Sequence, residues 1–208
     1  MSNASPNPAR PVVHVVQPPT RSMAMAPPHP GSGVPDAPLV PRLAIGAIPL
    51  RRRPTDLRAL LSSALEVLAA QATELDVALG VRCDDGFADA VWVDPEKIAW
   101  AVATLVGNAL RYVRRGTRLR PGGTITVTMS GDADAGGAAI IVQDDGPGIP
   151  RDKVEWLFRQ SDGAQHAVGL GLMLVHDVVI AHGGRIEVKT STDAFEHGTT
   201  ITLRLPAR

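Results

Sequence analysis

Cysteine is almost absent from this 208-residue chain, with Cys83 standing alone. A single thiol excludes an internal disulfide and argues against a cysteine-bearing metal cluster. Its setting, V-R-C, favours a small buried hydrophobe over a reactive thiol. No apolar run approaches the roughly 18 residues that a spanning helix needs, so no membrane span is expected. No apolar stretch of signal-peptide type follows the first basic residue, so the expected compartment is the cytoplasm. An excess of charge of one sign is also lacking, because 21 Lys and Arg balance 21 Asp and Glu. That balance gives no support to nucleic-acid binding or to a polybasic membrane surface. With 44% hydrophobic residues, the chain can form one domain with a sizeable core.

Proline is unevenly spread, with 13 of the 18 lying before residue 55, among Ala, Ser, Asn and Gly. Such a stretch buries too little apolar area to offset its ordering entropy. Residues 1–53 therefore read as a disordered Pro/Ala-rich tail or linker, and residues 54–208 as the folded domain. Two short apolar patches interrupt the tail, Val12 to Val16 and Leu39 to Leu50, and the second could dock on the domain or on a partner.

Thr55 is a plausible helix N-cap, and Leu57, Leu61, Leu65, Leu68 and Ala72 follow with a helical period. Alternating strands are expected around Val77 to Cys83 and Val91 to Val93. Asp94-Pro95 opens a second helix, expected to run to about Val113. Strands at Thr124 to Met129 and Ala138 to Val142 come next, then a short helix at Asp152 to Phe158 and a polar loop at 159–168. A helix from Gly171 to Ala181 stops at His182-Gly183-Gly184. Strands at Arg185 to Thr190 and Thr199 to Leu205 finish the chain. This order predicts an α+β two-layer sandwich, a mixed and mostly antiparallel sheet with helices on one face.

Three stretches carry chemistry. In V-Q-D-D-G-P-G-I-P, a buried strand ends on Asp144 and Asp145, and Gly146 and Gly148 bracket Pro147. A carboxylate beside exposed glycine backbone suits a flat ligand that offers an N–H donor, such as adenine. A β-turn with solvated acids is the plainer alternative. In T-L-V-G-N-A-L-R-Y, Thr104, Asn108, Arg111 and Tyr112 share one helix face. Asn108 can offer its amide oxygen to Mg²⁺ and Arg111 can reach a phosphate oxygen, although an ordinary polar helix face reads the same way. In A-V-G-L-G-L, Gly169 and Gly171 stand at the start of a helix, whose freed N–H groups suit an anion, or they serve only to turn the loop.

Taken together, these stretches resemble the GHKL (Bergerat-type) ATP-binding fold, and within it the catalytic and ATP-binding domain of sensor histidine kinases. Thr104 to Tyr112 resembles the N box, and D-D-G-P-G-I-P at 144–150 the first glycine box. W-L-F-R at 156–159 resembles the F box, and G-L-G-L at 169–172 the second glycine box. The ending, 182–190 and 197–206, also resembles that of histidine kinases. The resemblance implies that Asp144 accepts the adenine amino group, supported by Thr199, and that Gly146, Gly148 and Ile149 line the base pocket. It implies Asn108 as the ligand of a Mg²⁺ bridging the phosphates of ATP, with Arg111 and Tyr112 near phosphates and ribose. Gly169, Leu170, Gly171 and Leu172 would supply backbone to the phosphates from a lid at about 159–170.

The chain departs from the family at three points. Thr104 stands where the family has Asn, or Glu in its ATPase relatives, and a threonine cannot act as a carboxylate base. Ser161 takes the place of a second F-box phenylalanine, and Ala167 that of an extra glycine. None of the six histidines sits in a helical hairpin of the phosphoacceptor kind. The resemblance therefore implies a protein-histidine kinase acting in two-component signalling on a phosphoacceptor histidine domain or response regulator in trans. The alternative is a non-catalytic or anti-sigma-like nucleotide-dependent binding module.

Overall fold

The computed structural model describes residues 12–16, 48–84, 87, 90–132, 137–154 and 170–207. Its elements run β1 (Val12–Val16), β2 (Arg53–Thr55), α1 (Leu57–Ala64), α2 (Glu66–Glu74), β3 (Ala78–Cys83), β4 (Val91–Val93) and α3 (Pro95–Tyr112). They continue with β5 (Thr124–Asp132), β6 (Gly137–Asp144), α4 (Arg151–Val154), α5 (Leu170–Ala181), β7 (Arg185–Thr192) and β8 (His197–Leu205). Six strands form one sheet in the order β1-β7-β8-β6-β5-β3, while β2 and β4 pair separately. Only the β3–β5 pair of the large sheet is parallel.

Strand alternation decides which face meets the helices. Ile125, Val127 and Met129 of β5, Ile140 and Val142 of β6, Ile186 and Val188 of β7, and Leu203 and Leu205 of β8 are buried on one face. Helix α3 packs over β5 and β6, and α5 over β7 and β8. The expected two-layer α+β arrangement is the one found. On the other face, Arg204 bridges Glu187 at 2.6 Å and Asp132 at 3.1 Å, at the edge of a shallow hollow of about 350 Å³.

Asp94 caps α3 as its sequence suggests, accepting the Lys97 N–H at 3.2 Å with Pro95 at the first helical position. The first helix differs from expectation. Its cap is Asp56, which accepts the Ala59 N–H at 3.0 Å, because Thr55 is held in β2 opposite Val91. The helical run also divides at Leu65 into α1 and α2.

Two parts of the segment expected to be a disordered tail have defined places. Val12–Val16 lies antiparallel to β7, from Val12 opposite Thr190 to Val16 opposite Ile186. Four β-branched residues in five suit an edge strand, a local feature that the proline-rich average conceals. Nearer the domain, Ile48 packs against the core and the Arg51 N–H donates to Asp94 Oδ2 at 2.8 Å. The Arg52 guanidinium donates to the Ala181 carbonyl, at the C-terminal end of α5, at 2.7 Å.

Candidate nucleotide site

Asp144 is the last residue of β6 and lies on the helix-facing side, in step with Ile140 and Val142. Its Oδ1 accepts the Gly146 N–H at 2.9 Å. Burial pushes its pKa up to about 6; N–H groups of Gly146 and Thr199 oppose that rise, and the neighbouring Asp145 charge adds to it. Asp145 has a different task. Its Oδ1 accepts the Thr124 N–H at 2.8 Å and so ties the loop to the start of β5. Of the two adjacent acids, only Asp144 lines the cavity.

That cavity holds about 470 Å³ between α3 and the strand ends, within the roughly 300–1,000 Å³ usual for small-molecule sites. Leu105, Asn108, Ala109 and Tyr112, a single face of α3, form one wall. Asp144, Thr199, Val142 and Ile201 form the floor, and Pro147, Gly148, Ile149 and Pro150 the opposite rim. Lys153 of α4, Leu172 of α5 and Thr192 of β7 complete the lining. The walls are mostly apolar and the polar groups few, as suits a flat heterocycle with a polar edge.

Glycine is required here at two places. Gly148 has φ +72°, and a Cβ on it would collide with the Ser191 carbonyl of β7. Gly198 has φ +144°, and a Cβ there would strike the Asp144 carbonyl. Both glycines let the 146–150 loop and the β7–β8 hairpin close on one another.

The structure thus brings Asn108, Tyr112, Asp144, Gly148, Ile149, Leu172 and Thr199 to one cavity, with Gly146 bonded to Asp144 at its edge. Thr104 and Gly171 meet beside it: a Cβ on Gly171 would lie 3.2 Å from the Thr104 methyl. The Thr104 hydroxyl donates to the Trp100 carbonyl of its own helix at 2.8 Å. Arg111 is exposed near the end of α3 and does not line the cavity. Leu170 is the first residue of α5. Gly169, the F-box stretch 156–159 and most of the expected lid lie outside the described residues.

Sequence reasoning missed Lys153, Thr192 and Thr190. Thr190 Oγ1 accepts the Ile149 N–H at 2.8 Å and donates to the Gly198 carbonyl at 3.0 Å. Strand alternation through Ile186 and Val188 would have placed Thr190 on the site face. Lys153 had no comparable signal beyond its position soon after Pro150.

The class of protein is now defined. Residues 93–208, more than half the chain, match the family described as histidine kinase-, DNA gyrase B- and HSP90-like ATPase, and the chain belongs to that family. Among its relatives is the sensor histidine kinase ZraS of Escherichia coli K12, 29% identical over 152 residues that cover 73% of this chain and 30% of ZraS. The chain therefore spans under a third of that relative's length. The mycobacterial sensor histidine kinase MprB superposes with a TM-score of 0.60 at 28% identity, covering 76% of this chain and 98% of that one. Full-length ShkA in complex with AMPPNP superposes with a TM-score of 0.65 at 23% identity, over 77% of this chain and 32% of that one. The fold is that of histidine kinase catalytic domains.

Proposed function

We propose that this chain binds Mg-ATP and donates its γ-phosphate to a histidine on a separate chain. The observation that carries the reading is Asp144, a half-buried carboxyl at the floor of an apolar-walled cavity, facing Asn108 and Tyr112 across it. Adenine fits that floor: its amino group donates to Asp144, and Ile149 and Ile201 cover its faces. Family membership, and the complex with AMPPNP formed by ShkA, part of which shares this fold, support this placement.

Mg²⁺ fits the donor set through Asn108. No group of three or more His, Cys, Asp or Glu side chains able to hold a metal occurs among the described residues. A metal here would rest on one amide oxygen, the phosphates and water, which is the usual habit of Mg²⁺. When bound, it neutralises phosphate charge. Arg111, at the exposed end of α3, is the cation we assign to the phosphates. In the transfer, a nitrogen of the acceptor imidazole bonds to the γ-phosphorus as its bond to the bridging oxygen breaks, and ADP leaves. The protein contributes positioning and charge stabilisation.

Thr104 favours a second reading. Its hydroxyl is already bonded to the Trp100 carbonyl, and it has no carboxylate with which to activate water. A nucleotide-dependent binding module would need neither. No helix among the described residues is long and apolar enough to cross a membrane, and we place the domain in the cytoplasm with a phosphoacceptor histidine domain or response regulator as partner. Incubation with radiolabelled ATP and cognate helical hairpins should label a histidine. Tight Mg-ATP binding with no labelling of any hairpin would replace the kinase reading with the binding module.

A further inference from the structure

The loop carrying Gly146 to Ile149 is pegged at both ends to one hairpin, β7–β8. At the far end, Thr190 takes the Ile149 N–H at 2.8 Å, and Thr190 is only 4% exposed, part of the sheet interior. At the near end, His197 Nδ1 lies 2.8 Å from the Gly146 carbonyl oxygen. A carbonyl only accepts, so Nδ1 carries the hydrogen and donates. Gly146 in turn gives its N–H to Asp144 Oδ1 at 2.9 Å. His197 is exposed at the start of β8 and is not part of the cavity wall. Its removal would therefore empty no packed space.

Glycine has the widest backbone freedom of any residue. With its carbonyl unanchored, Gly146 can rotate its N–H away from Asp144. We propose that His197 is a positioning residue for nucleotide binding: by holding the Gly146 carbonyl, it fixes the N–H that orients the Asp144 carboxylate. The proposal rests on the ATP-site reading above. It adds a residue that never touches the nucleotide, acting through two hydrogen bonds in series.

The test compares His197→Ala, which lacks the donor, with His197→Asn, whose amide N–H reaches about as far as Nδ1–H. Mg-ATP binding is measured by calorimetry, and the Asp144 carboxyl is titrated by carbon NMR in the nucleotide-free protein. A neutral hydrogen bond predicts about three- to tenfold weaker binding for His197→Ala. For His197→Asn the change should stay within about twofold, and the thermal midpoint of His197→Ala should fall by no more than the few degrees that one hydrogen bond is worth. On an Asp144→Asn background, His197→Ala should cost nothing further. In the nucleotide-free protein, Asp144 should titrate above its wild-type value of about 6 in His197→Ala but not in His197→Asn, because the Gly146 N–H stabilises the ionised form. Unchanged affinity and unchanged titration in His197→Ala would overturn the proposal, as would His197→Asn behaving like alanine. Failure of the wild type to bind Mg-ATP would count against the ATP site alone, and the titration would still decide the role of His197.

Discussion

Asp144 stands directly opposite Thr199 across the β6–β8 ladder, both on the face of the sheet that meets the helices. The register extends the row on either side, to Thr190 on β7 and to Ile125 on β5. Asp144 and Thr199 of this row supply the polar part of the cavity floor. The rows behind it, led by Val142, Ile201 and Val188, are apolar core. The site is the point where the core gives way to polar residues.

Asp144→Asn should weaken Mg-ATP binding about ten- to a hundredfold. A charge-assisted hydrogen bond contributes roughly 1.5–3 kcal/mol, and each 1.4 kcal/mol is a factor of ten. The same variant should unfold at a higher temperature than wild type at pH 8. The raised pKa of Asp144 means that its ionised form is disfavoured in the folded protein, so the charge lowers stability above pH 6. Calorimetric titration and thermal melts at pH 8 check the two halves. Lost affinity with no gain in stability would show that Asp144 is solvated in the free protein.

Nucleotide affinity should depend on pH through the same group. As pH falls through about 6, Asp144 takes up a proton and can no longer accept from the adenine amino group with full charge. Affinity is therefore lost below pH 6, although this group's contribution to folding stability rises over the interval from about 6 down to the ordinary value of 3.8. The terminal phosphate also titrates near pH 6, so the relevant quantity is the ratio of wild-type to Asp144→Asn affinity. That ratio should be steady above pH 7 and fall about five- to tenfold by pH 5, where roughly a tenth of the carboxyl is still ionised. A ratio constant across the whole range would remove Asp144 from the adenine contact.

A second buried group ties the two main helices together. His182 is 1% exposed, its Nε2 accepts the Asp94 N–H at 3.0 Å, and its Nδ1–H donates to the Val178 carbonyl at 2.7 Å. Both ring nitrogens are used only in the neutral form, and burial lowers the pKa below 6.5. The stability this residue provides should be present above pH 6.5 and lost as pH falls below it, because the unfolded chain binds the proton first. His182→Ala should destabilise the domain by about 2–4 kcal/mol at pH 7.5, from the unpaired Asp94 N–H and the cavity left behind. Urea unfolding at several pH values checks this. The gap between wild type and variant should narrow toward pH 5, and an equal gap at pH 5 and 7.5 would argue against the neutral ring.

Much of this architecture was legible in the residues. Asp94-Pro95 marks a helix start because the carboxylate and the missing N–H act locally, whatever the tertiary context. D-D-G-P-G marks the loop because backbone geometry requires glycine where the chain passes the Ser191 carbonyl. Arg111 and Thr104 share a helix face with Asn108 and Tyr112, yet they do not line the cavity. An eighteen-residue helix turns its polar stripe past the cavity mouth, and periodicity alone cannot say which turn faces it. His197 and Thr190 were missed because their partners are distant in sequence: His197 is 51 residues from Gly146, and Thr190 is 41 from Ile149.

The N-terminal segment provides the last prediction. Every residue of the buried core cluster among the described residues lies between Leu57 and Leu205, and β1 pairs along the edge of β7. Deleting residues 1–47 should therefore leave a cooperatively folding domain that keeps the contacts of Ile48, Arg51 and Arg52 with the core, Asp94 and Ala181. The deletion uncovers the β7 edge, and an unpaired edge strand invites association between copies. The truncated protein should melt within a few degrees of the full chain, as loss of about 1 kcal/mol implies for a domain this size. It should also self-associate more strongly in sedimentation experiments. A noncooperative melt would make Val12–Val16 an integral strand of the fold, and a monomeric truncated protein with an unchanged melt would mean that β1 protects nothing.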